Sequence, residues 1–299
     1  MALGIDLYKD WGLLPVKIMM KMVESVRELR KICYKGSGKK RPLYMELVTM
    51  KISIYITKLF LYTGIHADQV TMLMLLLVLA GSGMMAFGPI WLMFAGITLI
   101  HFTVVLDNVN GEVARYKKQG NLMGSFLEEF YHLFSTPLIF FSFGYGIFRH
   151  TGSEIALIFG FLCAVFASPI VIIAVKTAVV KKGIDRMESR KKMLPEKYTM
   201  LNEEINIKGG STKLGAKLYS SYDIIREFMN FPFNIVHIQI IAAMELLNHY
   251  YSFMPPYILS LLYLIIYGSL SALRQFASFI VHYKGRTVFH YYNALFGKK

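Results

Sequence analysis

Cysteine is scarce in this chain, which has only two cysteines among 299 residues. Cys33 follows a basic amphipathic stretch and Cys163 lies in the middle of an apolar run, so we expect no disulfide between them. Neither cysteine has other candidate metal ligands beside it. This pattern argues against a disulfide-stabilised domain and against a cysteine-based metal centre.

Acidic residues are also few, with 19 Asp and Glu against 33 Lys and Arg, which gives a formal net charge of +14. A basic excess of this kind occurs in nucleic-acid-binding proteins. In a chain rich in apolar runs, the excess is better explained by loops that face anionic lipid at the cytoplasmic surface. We therefore predict a membrane partner and no nucleic acid. The first 20 residues contain acidic residues and lack the composition of a cleavable signal peptide.

Long apolar runs dominate the sequence, of which 55% is hydrophobic. A helix needs about 20 predominantly apolar residues to cross the hydrocarbon core of a bilayer. The pattern predicts an all-α integral membrane protein with six transmembrane helices and N-terminal amphipathic interfacial helices. The predicted spans are residues 70–87, 90–107, 126–148, 155–175, 233–247 and 257–281. The fifth is the weakest, since four polar residues interrupt it.

Basic residues are distributed unevenly between the predicted loops. The first 45 residues carry ten Lys and Arg and residues 181–231 carry eleven, whereas the three short loops contain only Arg149. The positive-inside rule then places both termini in the cytoplasm of a multi-pass protein of the cytoplasmic (cell) membrane. The predicted organisation is an amphipathic, basic segment (1–41), a six-span domain (42–283) and a basic cytoplasmic tail (284–299). The 181–231 segment is predicted to be a mobile cytoplasmic loop or, alternatively, a cap over a functional site.

Polar residues recur at helical spacing where the second predicted span ends and the third begins. Offsets of three, four and seven residues put four positions on one helix stripe: Asp107, Asn110, Gly111 and Ala114. Arg115 follows, and three more positions share a face of the next helix: Gly124, Glu128 and His132. Because these helices are consecutive and antiparallel, we expect the two stripes to face each other near the cytoplasmic surface.

This pattern resembles the signature of the CDP-alcohol phosphotransferase family, D-x2-D-G-x2-A-R-x8-G-x3-D-x3-D. The spacing matches at every position, but Asn110, Glu128 and His132 occupy the second, third and fourth acidic positions. The stretch at residues 64–71 also resembles the family's approach to its first span. The resemblance implies six spans, a divalent metal (Mg²⁺ or Mn²⁺) and a homodimer.

The resemblance also implies a reaction, in which a phosphoalcohol (phosphatidyl-type) group moves from a CDP-linked donor to an alcohol acceptor and CMP is released. At least one substrate is expected to be a lipid. The expected metal ligands are Asp107, Asn110 and Glu128, and the expected catalytic base is His132, which as a neutral imidazole can accept a proton or ligate a metal. The expected CDP-binding residues are Gly111, Ala114, Arg115 and Gly124. Arg274, a cation within the sixth span, is a candidate phosphate-binding residue.

Alternative interpretations of these residues remain open at this point. Asp107 and Asn110 are also suited to capping or solvating a helix end, and Glu128 and His132 to a buried hydrogen-bonded pair. His101 is expected to be a packed polar residue. At the level of the whole protein, the alternatives are a catalytically silent lipid- or nucleotide-binding partner subunit and, less well supported, a transporter.

Overall fold

The computed structural model describes residues 23–34, 44–119, 122–188 and 228–296, and every regular element in these ranges is helical. The helices are α1 (Val26–Tyr34), a π-helical turn (Met45–Thr49) that leads into α2 (Met50–Thr63), α3 (Ala67–Phe87), α4 (Ile90–Lys117), α5 (Leu122–Thr151), α6 (Glu154–Phe166), α7 (Ile170–Glu188), α8 (Phe233–Tyr251), α9 (Ile258–Lys284) and α10 (Thr287–Phe296). The all-α class predicted from the sequence is confirmed for these ranges. The prediction for residues 1–22 and 35–43 lies outside the described residues.

Three helices in the described part of the chain are long and apolar enough to cross a membrane, namely α3, α4 and α9. They correspond to the first, second and sixth predicted spans and support a membrane protein. Helix α5 covers the third predicted span, and α8 covers the fifth. The prediction of a helical membrane protein therefore holds for the described residues.

The fourth predicted span, residues 155–175, is not one continuous helix. Helix α6 ends at Phe166 and α7 begins at Ile170. Pro169 explains the interruption, because proline lacks an N–H donor and disfavours helical geometry in the residue before it. The carbonyl oxygens exposed by the break are satisfied from α9: Arg274 donates to the oxygens of Phe166 and Ala167, and Gln275 donates to those of Phe166 and Ser168.

Glycine pairs allow two helix pairs to approach closely. A Cβ added to Gly81 on α3 would lie 2.6 Å from the carbonyl oxygen of Gly96 on α4. A Cβ added to Gly144 on α5 would lie 2.7 Å from the Cα of Gly160 on α6. Small residues at helix crossings bring backbones into direct contact, which is a common device for packing helices in membranes. These contacts fix the α3–α4 and α5–α6 pairs. One helix of each pair, α4 or α5, carries residues of the candidate site.

Three short turns meet at one end of the helix bundle. The His150 Nε2 atom lies 2.6 Å from the carbonyl oxygen of Gly88, at the α3–α4 turn. The His150 ring also stacks on Tyr257, at the start of α9, with centroids 5.4 Å apart. The other ends of α4 and α9, and the beginning of α5, therefore lie away from these turns, as the alternating direction of the predicted spans requires.

The C-terminal region differs from the sequence prediction in two places. Helix α7 continues to Glu188, well into the segment predicted as a loop at 181–231, and residues 189–227 lie outside the described residues. Residues predicted as a basic tail (284–299) include helix α10, which packs against α7. The aromatic and apolar residues of α10 explain why this helix packs against an apolar neighbour.

Candidate metal centre

Asp107, Glu128 and His132 converge between the C-terminal half of α4 and the N-terminal half of α5. One ligand atom from each side chain lies within 4.8 Å of the others. The His132 Nε2 atom lies 3.7 Å from the Asp107 Oδ1 atom, and the two side chains are 31% and 15% exposed, respectively. The spacing explains the convergence, because Asp107 lies ten residues before the end of α4, and Glu128 and His132 lie six and ten residues after the start of the antiparallel helix α5, so that the three have a similar depth. The structure thus brings together three of the predicted site residues.

This donor set fits a divalent cation. Oxygen ligands surround Mg²⁺ at about 2.0–2.1 Å, so that two opposite ligands are about 4.2 Å apart. The 4.8 Å limit on the separations of the three candidate ligand atoms is only slightly larger. An imidazole nitrogen is also an acceptable ligand for Mn²⁺. The two carboxylates therefore suit either ion, whereas the imidazole suits Mn²⁺ better than Mg²⁺.

Arg115 and Gly111 form a unit beside this cluster. A Cβ added to Gly111 would lie 3.0 Å from Nη1 of Arg115 and 3.2 Å from its Nη2. The guanidinium group therefore occupies the space that the missing side chain leaves over the helix turn after Asp107. Gly111 and Arg115 are both expected CDP-binding residues, and in the structure the space over Gly111 holds a positive charge suited to a phosphate oxygen.

The remaining motif positions lie along the same two helices. Asn110 is buried on α4, three residues after Asp107, and Ala114 is half-buried one turn further on. Gly124 is half-buried on α5, one turn before Glu128. The neighbouring acid Glu129 is exposed and is not part of the cluster.

Two aromatic rings flank the His132 imidazole. Tyr131 packs edge-on at a centroid distance of 5.1 Å, and its hydroxyl oxygen lies 2.7 Å from Oγ1 of Thr103 on α4. Phe231, in the segment just before α8, packs edge-on against the imidazole with a centroid distance of 4.8 Å. Sequence reasoning did not single out Phe231, which lies at the end of the predicted 181–231 loop. The last residues of that segment thus contact the candidate site.

Arg274 is not part of the Asp107, Glu128 and His132 cluster. Its Nη1 atom donates to Asn230 Oδ1 at 2.7 Å, and its Nη2 atom donates to the carbonyl oxygen of Ala167 at 2.8 Å. The buried guanidinium thereby links α9 to the end of α6 and to the segment before α8. Its predicted role in phosphate binding stays a prediction, and the structure adds a structural role that the sequence did not indicate.

A second face of α4 holds residues that the sequence analysis missed. Glu112 is fully buried, and its carboxylate accepts hydrogen bonds from the hydroxyl groups of Tyr34 at 2.5 Å, Ser53 at 2.5 Å and Thr57 at 2.6 Å. One turn earlier, the Asn108 amide donates to Oγ1 of Thr49 at 2.7 Å. Charge-assisted hydrogen bonds of this kind are the stronger class. They fasten α1 and α2 to the helix that carries Asp107.

A periodic signal in the sequence anticipates this second face. The hydroxyl residues Thr49, Ser53 and Thr57 recur every four positions, and so form a polar stripe along the π-helical turn and α2. Asn108 and Glu112 have the same spacing and pair with that stripe. Matching the two stripes would have predicted the contact between α2 and α4.

Helix α1 is held against α4 at several further points. Burial, and then the nearby Glu112 carboxylate, raise the pKa of the Tyr34 phenol, which keeps it protonated as a hydrogen-bond donor. The Tyr116 hydroxyl donates to Glu24 Oε2 at 2.5 Å. Cys33 is fully buried between the helices, and this burial is the main cause that raises its pKa to about 11.

Two other ionisable residues in the predicted spans, His101 and Glu245, have structural partners. His101 shares a hydrogen bond with the Tyr44 hydroxyl, in keeping with a packed polar residue. Glu245 accepts hydrogen bonds from the backbone N–H groups of Tyr257 at 3.1 Å and Ser260 at 2.9 Å. These N–H groups belong to the first turn of α9 or the residue before it, where no intrahelical partner is available. Glu245 therefore caps α9.

The site as a whole combines two carboxylates, an imidazole and a nearby guanidinium at one end of the α4–α5 pair. This combination can hold a divalent cation next to a phosphate group and offers a nitrogen base at the same place. No protein-family model matches the sequence, and no curated protein matches it either.

Proposed function

We propose that this chain is a metal-dependent membrane transferase of the CDP-alcohol phosphotransferase type. It moves a phosphoalcohol (phosphatidyl-type) group from a CDP-linked donor to an alcohol acceptor and releases CMP, in phospholipid or related lipid synthesis. The observation that carries the proposal is the convergence of Asp107, Glu128 and His132 within 4.8 Å. The motif spacing on α4 and α5, which resembles the family signature, supplies the link to this particular reaction.

Each residue of the site has a defined task in this proposal. Asp107 and Glu128, with the amide oxygen of Asn110, hold Mg²⁺ or Mn²⁺. When bound, the ion neutralises the oxygens of the donor's diphosphate and makes CMP a better leaving group. The Arg115 guanidinium, over Gly111, binds a phosphate oxygen and orients the donor. Ala114 and Gly124 leave room for the nucleotide beside the helix backbones.

His132 is the proposed base. The acceptor's hydroxyl oxygen forms a bond to the phosphorus that carries the donor's alcohol, while the bond from that phosphorus to the CMP oxygen breaks. The acceptor's proton passes to Nε2 of His132, the ring atom that lies 3.7 Å from Asp107. Tyr131 and Phe231 restrict the imidazole to one orientation through edge-on ring contacts.

The proposal includes six membrane spans, cytoplasmic termini and a homodimer. The three short turns lie at the end of the bundle away from the site, and the only Lys or Arg in the short loops is Arg149. The site would then open at the cytoplasmic surface, where a water-soluble substrate and a lipid can both reach it. This position supports a lipid as at least one substrate.

The proposal can be tested by measuring CMP release from the purified protein in detergent micelles. The assay combines a panel of CDP-linked donors with alcohol acceptors and either Mg²⁺ or Mn²⁺. Asp107→Asn removes one charged metal ligand and should abolish turnover, whereas Glu129→Gln is the matched control and should leave turnover intact. The proposal is wrong if no donor yields CMP with either metal, or if Asp107→Asn retains near wild-type turnover.

A catalytically silent partner subunit is the second candidate function. The observation in its favour is that the site carries two formal negative charges, from Asp107 and Glu128, where four aspartates would carry four. Two divalent ions would be poorly neutralised by this set without a bound diphosphate. Binding of a CDP-linked donor without any turnover, measured in the same preparation, would favour this candidate over the enzyme.

A further inference from the structure

A cavity separate from the metal centre lies between α7, the end of α9 and α10. Its volume is about 540 Å³, within the range of about 300–1,000 Å³ that is usual for small-molecule sites. The surface that lines it is almost wholly apolar. The lining residues include Ala178, Val288 and Phe289, and two residues with polar side chains, His282 and Arg286. None of the residues that line it belongs to the motif on α4 and α5.

The position of the cavity indicates what kind of molecule fills it. It lies beside the end of α9, a helix long and apolar enough to cross a membrane, and the end of such a helix is where lipid headgroups would lie. Tyr283 and Phe289, which line it, are 75% and 62% exposed. Exposed aromatic residues at a helix end and a short aromatic helix beside it are typical of the membrane interface. An apolar cavity open at this depth suits a lipid acyl chain.

Arg286 gives the cavity a charged rim. It lies in the turn between α9 and α10 with φ at 48°, a left-handed conformation that non-glycine residues adopt at a cost. The turn is held by a hydrogen bond from the Arg286 N–H to the Tyr283 carbonyl oxygen at 3.1 Å, and by a 3.1 Å contact between Nδ1 of His282 and Oγ1 of Thr287. The fold therefore holds an exposed arginine at the edge of an apolar cavity.

We propose that this cavity binds one anionic phospholipid, with an acyl chain among the apolar residues and the phosphate group on Arg286. A guanidinium group binds phosphate through two parallel hydrogen bonds, which a lysine cannot reproduce. The net charge of +14 adds attraction for anionic lipid at the same surface. This lipid site is independent of the transferase activity proposed above.

Native mass spectrometry of the full chain tests the site directly. The purified protein is incubated in detergent with equal amounts of dioleoyl phosphatidylglycerol and dioleoyl phosphatidylcholine, and retained lipids are counted. We expect one phosphatidylglycerol to be retained in preference. Arg286→Gln should reduce that preference about fivefold, the usual contribution of one basic residue near an anionic surface. Lys284→Gln is the matched control, because Lys284 is a nearby cation that does not line the cavity.

A second variant tests the acyl-chain part of the cavity. Ala178 is exposed within the lining, so that Ala178→Phe fills the space without disturbing a buried contact and should reduce retention of the lipid.

The thermal midpoint of each variant in detergent is compared with that of the parent protein to check that folding is unchanged. If Arg286→Gln lowers the midpoint, Arg286→Lys is used instead and should retain an intermediate preference for phosphatidylglycerol. Equal retention of the two lipids by the parent protein, or equal effects of the Arg286 and Lys284 variants, would overturn the proposal.

Discussion

The ring of Phe231 lies edge-on against the imidazole of His132, with ring centroids 4.8 Å apart and planes inclined by 65°. Asn230, the residue before Phe231, accepts a hydrogen bond from the buried guanidinium of Arg274 on α9. One short segment thus joins α9 to a side chain of the candidate metal centre. The orientation of His132 therefore depends on a part of the chain that lies about 100 residues away from the motif.

Phe231→Ala should reduce turnover without removing any group that takes part in the reaction. The imidazole would lose one of its two flanking rings, and displacement of a reacting group by about 1 Å can cost as much as 10²-fold in rate. The measurement is kcat for CMP release in the proposed assay. Phe228→Ala is the matched control, because Phe228 lies in the same segment but contacts His237 instead. Equal losses in the two variants would show that the Phe231 contact has no specific role.

Arg274→Lys should lower the thermal midpoint and leave the KM for the donor unchanged. A lysine cannot reach Asn230 and the α6 carbonyl oxygens together, so buried acceptors would lose their donors at a cost of about 1–3 kcal/mol each. Thermal unfolding in detergent and steady-state kinetics separate the two effects. A raised KM at an unchanged midpoint would instead favour the phosphate-binding role predicted from the sequence.

His132→Ala should lower turnover by about 10²–10⁴-fold, the usual contribution of a general base. His132→Asp restores the residue of the family signature and should retain more activity than the alanine variant. Specific turnover is measured per folded protein, with thermal midpoints as the check on folding. An alanine variant that unfolds more easily but keeps its specific turnover would make His132 a packing residue and would favour the silent partner subunit.

Glu112→Gln should loosen α1 from α4 and expose Cys33 to alkylation. The thiolate is the reactive form of cysteine. In the folded protein the Cys33 pKa of about 11 keeps the thiol protonated at pH 8, so that labelling is slow there and becomes faster as the pH is raised towards that value. Glutamine keeps one acceptor oxygen, but it lacks the negative charge and carries an NH2 donor in place of the second oxygen, so the hydrogen bonds from the three hydroxyl groups are weakened. Loosening of α1 would allow the Cys33 pKa to return towards its ordinary value near 8.5.

The rate of maleimide labelling at pH 8 measures this change, in a chain that carries Cys163→Ser so that only Cys33 reports. Glu46→Gln is the matched control, since Glu46 is an exposed acid on the π-helical turn. A Cys33 labelling rate that is the same in the Glu112 variant and the control would show that the hydroxyl cluster does not hold α1.

The sequence by itself determined the helical class and the stripe that carries Asp107, Asn110 and Gly111. Both follow from local periodicity, since apolar runs define helices and offsets of three and four residues define a helix face. The meeting of Asp107 with Glu128 and His132 was also predictable, because the two helices are consecutive in the chain and antiparallel.

Only the tertiary structure decided which distant residues contact the site or hold the helices around it. The Phe231 contact, the hydrogen bonds of Arg274 and the buried Glu112 all join residues more than 40 positions apart. Periodicity identifies the face of a helix but not the partner that covers it, because many pairings of amphipathic helices bury similar apolar area. The choice among them depends on specific close contacts, such as the glycine crossings and the hydroxyl stripe of α2, that act only when the whole bundle is assembled.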